Sequence, residues 1–109
     1  MRVAELDDVT YDLELDGIEV RRTLHRQVFE RRGWATVALV FQERAADGPW
    51  RPARLALVRL QRVREAWKRH ATITLAGADA QALGAALAGW TAALGAADDA
   101  DGDGDDDAR

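Results

Sequence analysis

Apolar and polar residues alternate from Val9 to Leu15: Val9, Tyr11, Leu13 and Leu15 fall on one side, Thr10, Asp12 and Glu14 on the other. A period of two predicts a half-buried strand. Asp16-Gly17 follows, a dipeptide suited to tight hairpin turns because glycine accepts positive φ without strain. Ile18 to about Glu30 reads as a second, long strand. Its alternation weakens through Arg21-Arg22 and His25-Arg26, as it does where a strand bends or bulges. Arg31-Arg32-Gly33 predicts a turn. Ala35–Gln42 (ATVALVFQ) is rich in β-branched residues and apolar on both faces, which predicts a central strand. Ala46-Asp47-Gly48-Pro49 is a turn cluster. Arg54–Val63 (RLALVRLQRV) predicts a fourth strand. A helix competes there, since Leu and Arg favour helix, but the flanking segments are both β. Arg64-Glu65 predicts a tight turn. Trp67 to Leu75 alternates again, with Trp67, Arg69, Ala71, Ile73 and Leu75 against Lys68, His70, Thr72 and Thr74.

The period then changes to 3.6. Leu83, Leu87, Trp90 and Leu94 stand at i, i+4, i+7 and i+11, one stripe of an amphipathic helix serving core or dimer contacts. Asp79 falls in its first turn, where a negative charge suits the helix dipole. Gly84 and Gly89 weaken the helix by roughly 1 kcal/mol each relative to Ala; they suit close packing on the sheet or on a second copy of the helix. Gly95 is a natural stop. From residue 97 the chain is Ala, Asp and Gly up to a final Arg, too poor in apolar side chains to offset the entropy of ordering. The expected fold is therefore α+β: an antiparallel sheet of four to five strands and one C-terminal helix in a single domain, residues 1–96, with a disordered acidic tail, residues 97–109.

Among the 109 residues, 48% are hydrophobic and 31% charged, consistent with one folded domain. No apolar run is long enough to cross a membrane, and residues 1–20 lack a basic start followed by an apolar stretch, so neither membrane insertion nor secretion is expected. Cys, Ser and Asn are all absent. Disulfides and thiolate metal sites are thereby excluded, and a reducing, cytoplasmic setting fits. Without Ser or Cys nucleophiles, and with only His25 and His70, the chain is poorly equipped for covalent or acid–base catalysis. The two His lie on separate expected strands with no third ligand, so no metal is expected. Asp99-x-Asp101-x-Asp103-Gly104 matches the start of a calcium loop, but the required twelfth position lies past Arg109. No cofactor is expected, and the chain reads as a binding protein rather than an enzyme.

The net charge of −4 conceals sorting along the chain. Residues 1–19 carry −6, residues 20–70 carry +9, residues 71–97 carry −1 and residues 98–109 carry −6. In the basic block Arg outnumbers Lys twelve to one. Guanidinium binds phosphate bidentately and stacks on bases. Trp34, Trp50, Trp67 and Phe29 interleave with the charges. A basic groove with aromatic platforms is what single-stranded nucleic acid needs. The expected contacts are Arg22, Arg26, Arg31, Arg32, Arg44, Arg54, Arg59, Arg62, Lys68 and Arg69 on phosphates, with Trp34 and Trp50 exposed at turns and stacking on bases. Trp90, Phe41 and Tyr11 are expected in the core; Trp67 fits either place. The Asp run would compete weakly for the groove, or serve as a handle for a basic protein partner.

The order of elements resembles the positive-cofactor-four transcriptional coactivator family and the related Whirly proteins. The resemblance is carried by Ala71–Leu87 (ATITLAGADAQALGAAL), where a strand ends in Ile73-Thr74-Leu75, an acid opens the helix at Asp79, and Leu83 and Leu87 carry its apolar side. The strand Ala35–Gln42 followed by Gly48-Pro49 adds to it. About 70 residues are covered. The family's Pro-Gly-Lys-Lys-Gly run is missing, with Arg62-Val63-Arg64-Glu65 nearby instead, and the chain has one hairpin more. The resemblance implies a single-stranded DNA-binding sheet and a homodimer formed through the helix, which would make the protein nucleoid-associated. The competing expectation is a protein-interaction module, or small subunit of a complex, that uses complementary charged patches.

Overall fold

Four long strands make the body of the molecule, the first and last pairs joined by tight turns and the middle pair by a longer loop. The structure, a computed structural model, describes residues 2–95. Its elements are β1 (Arg2–Val3), β2 (Leu13–Leu15), β3 (Ile18–Arg31), β4 (Trp34–Glu43), β5 (Arg54–Val63), β6 (Ala66–Leu75) and α1 (Gly77–Trp90). The sheet is antiparallel throughout, in the order β1-β6-β5-β4-β3-β2. This is the expected α+β fold, with β4 and β5 at the centre. The acidic tail lies outside the described residues.

Local chemistry explains the hairpins. Asp16-Gly17 and Arg32-Gly33 both take positive φ at the two central positions, 54° and 80° in the first and 53° and 83° in the second. That geometry matches the twist of the flanking strands and requires glycine at the second position. Arg64 turns the β5–β6 hairpin at φ 62°.

Two bulges reset the pleat. In β3 the pairing with β4 slips between Thr23 and His25, at the place where the alternation weakens. In β6 it slips opposite Arg59 and Leu60, leaving His70 unpaired. The second bulge corrects the expected sides of that strand. Trp67, Arg69, Thr72 and Thr74 share one face, while Lys68, Ala71, Ile73 and Leu75 share the other.

The core lies on one face only. Ala35, Val37, Leu39, Ala56, Val58 and Leu60 are completely buried, joined by Phe41 and Trp67. Each large side chain among them contributes about 1.5–3 kcal/mol by leaving water. The cover comes from the N-terminal segment. Because β1 pairs with β6 and β2 with β3, residues 4–12 must cross the sheet from edge to edge. On the way they form a 3-10 turn at Leu6–Asp8 and plug the core with Val9, which is fully buried. Leu6 and Tyr11 pack beside it. Val9–Leu15 is therefore not one strand: only Leu13–Leu15 pairs, and Val9 and Tyr11 act as core plugs.

The helix corrects another expectation. α1 buries no residue, and Leu87, Trp90 and Leu94 are all exposed. Trp90, at 56% exposure, is not in the core. The helix ends at Trp90 and passes into a 3-10 turn at Thr91–Ala93, ahead of Gly95. Side chains at Gly84 and Gly89 would meet only open space, so within the chain neither glycine permits a close approach.

Candidate nucleic-acid interface

Register sorts the basic residues by face. Cross-strand partners share a face, so everything paired across from the buried series lies on the core side. That side receives Arg21, Arg26, Arg54, Arg62 and Arg69. The opposite, open side receives Arg22, Arg31, Arg59 and Lys68, together with Trp34 and His25. Arg44 and Trp50 join the open side through Arg22, and Arg32 sits in the β3–β4 turn. The twelve expected contact residues therefore do not form one surface.

The carboxylates sort the other way. The four long strands contain three, Glu19, Glu30 and Glu43; the register turns Glu30 and Glu43 to the core side, while Glu19 lies past the β2–β3 bulge at Val20. Glu43 pairs there with Arg21 at 3.5 Å and with Arg54. Arg26 is spent on the N-terminal segment. Its Nε donates to the Val9 carbonyl at 3.0 Å, its Nη2 donates to the Leu6 carbonyl, and Asp7 lies 3.8 Å from Nη1. Arg62 lies over Trp67 in a cleft also lined by Glu5, Asp7 and Glu30. Trp67, buried against the core, offers no platform.

On the open side Arg22, Arg44 and Arg59 meet aromatic rings and neutral oxygens. Arg59 holds its guanidinium 4.8 Å from the Trp34 ring centre and donates to Thr36 Oγ1 at 3.0 Å. His70 meets Trp34 edge-on, with centroids 5.1 Å apart at 61°. At the other end of β4, Arg22 donates from Nε and Nη2 to Gln42 Oε1, at 3.0 and 2.8 Å. Arg22 and Arg44 both lie over the Trp50 ring, 4.1 and 4.2 Å from its centre. Neither Trp34 nor Trp50 stands free at a turn as expected; both are half-buried among these partners. Between the two clusters the floor is apolar. Val40, Leu55, Leu57 and Ile73 share this face, and Phe29 and Ile73 are more than half exposed.

Sequence reasoning passed over His70, Gln42 and Ile73 as parts of this surface, and it named Phe29 only as an aromatic residue interleaved with the charges. His70 became legible only with the β6 bulge. Phe29 carries a local signal, an apolar residue on the otherwise polar side of its strand; Ile73 shares its side with Ala71 and Leu75 and carries none. Among the described residues, no group of three or more His, Asp or Glu is placed to hold a metal ion, and no helix is long and apolar enough to cross a membrane. Comparison with protein-family models, curated proteins and solved structures finds no match.

Proposed function

We propose that the open face of the sheet binds single-stranded nucleic acid, and that the protein is a binding module rather than an enzyme. The supporting observation is the face sorting: the long strands turn Arg22, Arg59 and Lys68 to the same side as Trp34, and Glu30 and Glu43 to the other. A surface that keeps cations unneutralised beside an aromatic ring and an apolar floor suits phosphates and unstacked bases together. Duplex DNA would present its phosphates but not its base faces, so the aromatic groups favour the single strand. The exposed Leu87 and Trp90 on α1, with Leu83, and Leu94 just beyond the helix support a homodimer formed through the helix. The acidic run beyond residue 97 competes with the ligand for the open face.

The test is fluorescence anisotropy with a labelled single-stranded oligonucleotide at low salt, on the full chain and on one truncated after residue 96. The expected result is micromolar or tighter binding that falls steeply with salt and tightens on truncation. If neither form binds, the reading fails.

A further inference from the structure

Two guanidiniums gather on one indole. Trp50 stands between Pro49 and Arg51 in the β4–β5 loop, with Arg22 and Arg44 4.1 and 4.2 Å from its ring centre. Every other aromatic ring in such a contact among the described residues has one guanidinium, at 4.8 Å or farther. The ring quadrupole attracts both cations and offsets their repulsion. Each is fixed again by a neutral acceptor: Arg22 by Gln42 Oε1, and Arg44 by the Glu19 carbonyl at 2.8 Å. Gln42 is itself held, donating from Nε2 to the Arg51 carbonyl at 3.1 Å. Among the described residues neither guanidinium pairs with a carboxylate, in contrast to Arg21 and Arg54 on Glu43. The cluster holds two guanidiniums against one ring, each oriented by a neutral acceptor and, among the described residues, without a carboxylate partner.

We infer that Trp50 is a positioning residue for a phosphate site formed by Arg22 and Arg44, and not a base-stacking platform. The inference rests on the nucleic-acid reading and deepens it. An indole with two guanidiniums this close has little π surface left for a base, whereas a phosphate needs N–H donors from adjacent cations. Trp34, with one guanidinium farther off, is the stacking end. Eight residues of β4 separate Trp34 from Gln42, about 26 Å of extended chain. The ligand is therefore a single strand long enough to reach from a base on Trp34 to a phosphate at Arg22 and Arg44, about four nucleotides or more.

A length series of labelled oligothymidylates, from dinucleotide to dodecamer, tests this against the wild type, Trp50→Leu, Trp50→Phe and the double variant Arg22→Ala/Arg44→Ala. The dodecamer is expected to bind Trp50→Leu about tenfold more weakly, with a shallower salt dependence by about one to two phosphates. Dinucleotide binding should be unchanged, and Trp50→Phe should retain most of the wild-type behaviour. The double variant leaves the indole in place and should reproduce the Trp50→Leu loss, so a folding defect at Trp50 cannot imitate the result. If Trp50→Leu weakens every length equally and leaves the salt slope intact, Trp50 stacks and the inference is wrong. If the double variant binds the dodecamer as the wild type does, the phosphate site is also refuted while the proposed function stands. A wild type that binds no oligonucleotide removes both.

Discussion

The Nε of Arg26 donates to the Val9 carbonyl at 3.0 Å, tying the middle of β3 to the segment that covers the core. Arg26 also reaches the Leu6 carbonyl, and its side chain is only 24% exposed. It is committed to the fold. Arg26→Ala would remove the side-chain donor from the Val9 carbonyl and one of the two donors to the Leu6 carbonyl, which keeps the Val9 N–H, and so loosen the plug. The expected loss is about 2 kcal/mol of unfolding free energy, the range for hydrogen bonds to a charged group. Urea denaturation measures it. Oligonucleotide affinity of the folded variant should be unchanged, which separates Arg26 from the binding surface.

Val9 checks the same plug from the apolar side. It is fully buried, so Val9→Ala removes two methyl groups from the core and leaves a small void. A loss of about 1–2 kcal/mol is expected by thermal or urea unfolding. If Val9→Ala costs nothing, residues 4–12 do not cover the core in solution.

Salt dependence distinguishes the two faces. On the open side Arg59 is bonded to Thr36, a neutral partner, while on the core side Arg54 is bonded to Glu43. Arg59→Ala should therefore lower the salt slope of single-strand binding by about 0.7, the contribution of one phosphate. Arg54→Ala should leave the slope where it was. Anisotropy titrations across a salt series measure both; equal slopes for the two variants would contradict the assignment of faces.

Trp34 is expected to act through its ring. Trp34→Ala should weaken binding of a single strand by roughly tenfold, consistent with about 1–3 kcal/mol per stacked base. Trp34→Phe should retain most of the affinity, since any aromatic face stacks. Quenching of tryptophan emission on binding, reduced in Trp34→Phe, is the spectroscopic check.

The hairpins and the four long strands were legible because their signals are local: Asp16-Gly17, Arg32-Gly33 and runs of β-branched residues act on their own backbone. What was not legible depends on pairing. Counting by twos from Arg22 puts Arg26 on the same face, yet the bulge between Thr23 and His25 sends Arg26 to the core side. The bulge at His70 likewise exchanges the faces of Thr72 and Ile73. Val9 alternates like a strand residue, but its neighbours are supplied by a crossing that only the edge positions of β1 and β2 reveal. Trp50 looks exposed between two prolines because nothing nearby in sequence shows Arg22 returning to it from 28 residues away. The basic block is divided between the two faces of the sheet, and register decides which residue goes to which face.

The helix gives the last prediction. Leu87 is 43% exposed and Trp90 56%, along one side of an element that touches its own sheet only lightly. Exposed apolar side chains at helical spacing gain by burying one another, at about 25 cal/mol for each Å² removed from water. A second copy offers the same stripe, and two such stripes are self-complementary across a two-fold axis. Light scattering on the wild type should therefore give twice the chain mass of 12.0 kDa. Leu87→Asp would place a charge in the middle of that contact, where desolvation without a partner is costly. The variant should run as a monomer with its sheet intact by circular dichroism, because α1 buries no residue in its own chain. A wild type that is monomeric at high concentration, or a Leu87→Asp variant that stays dimeric, would rule out the helix as the contact between copies.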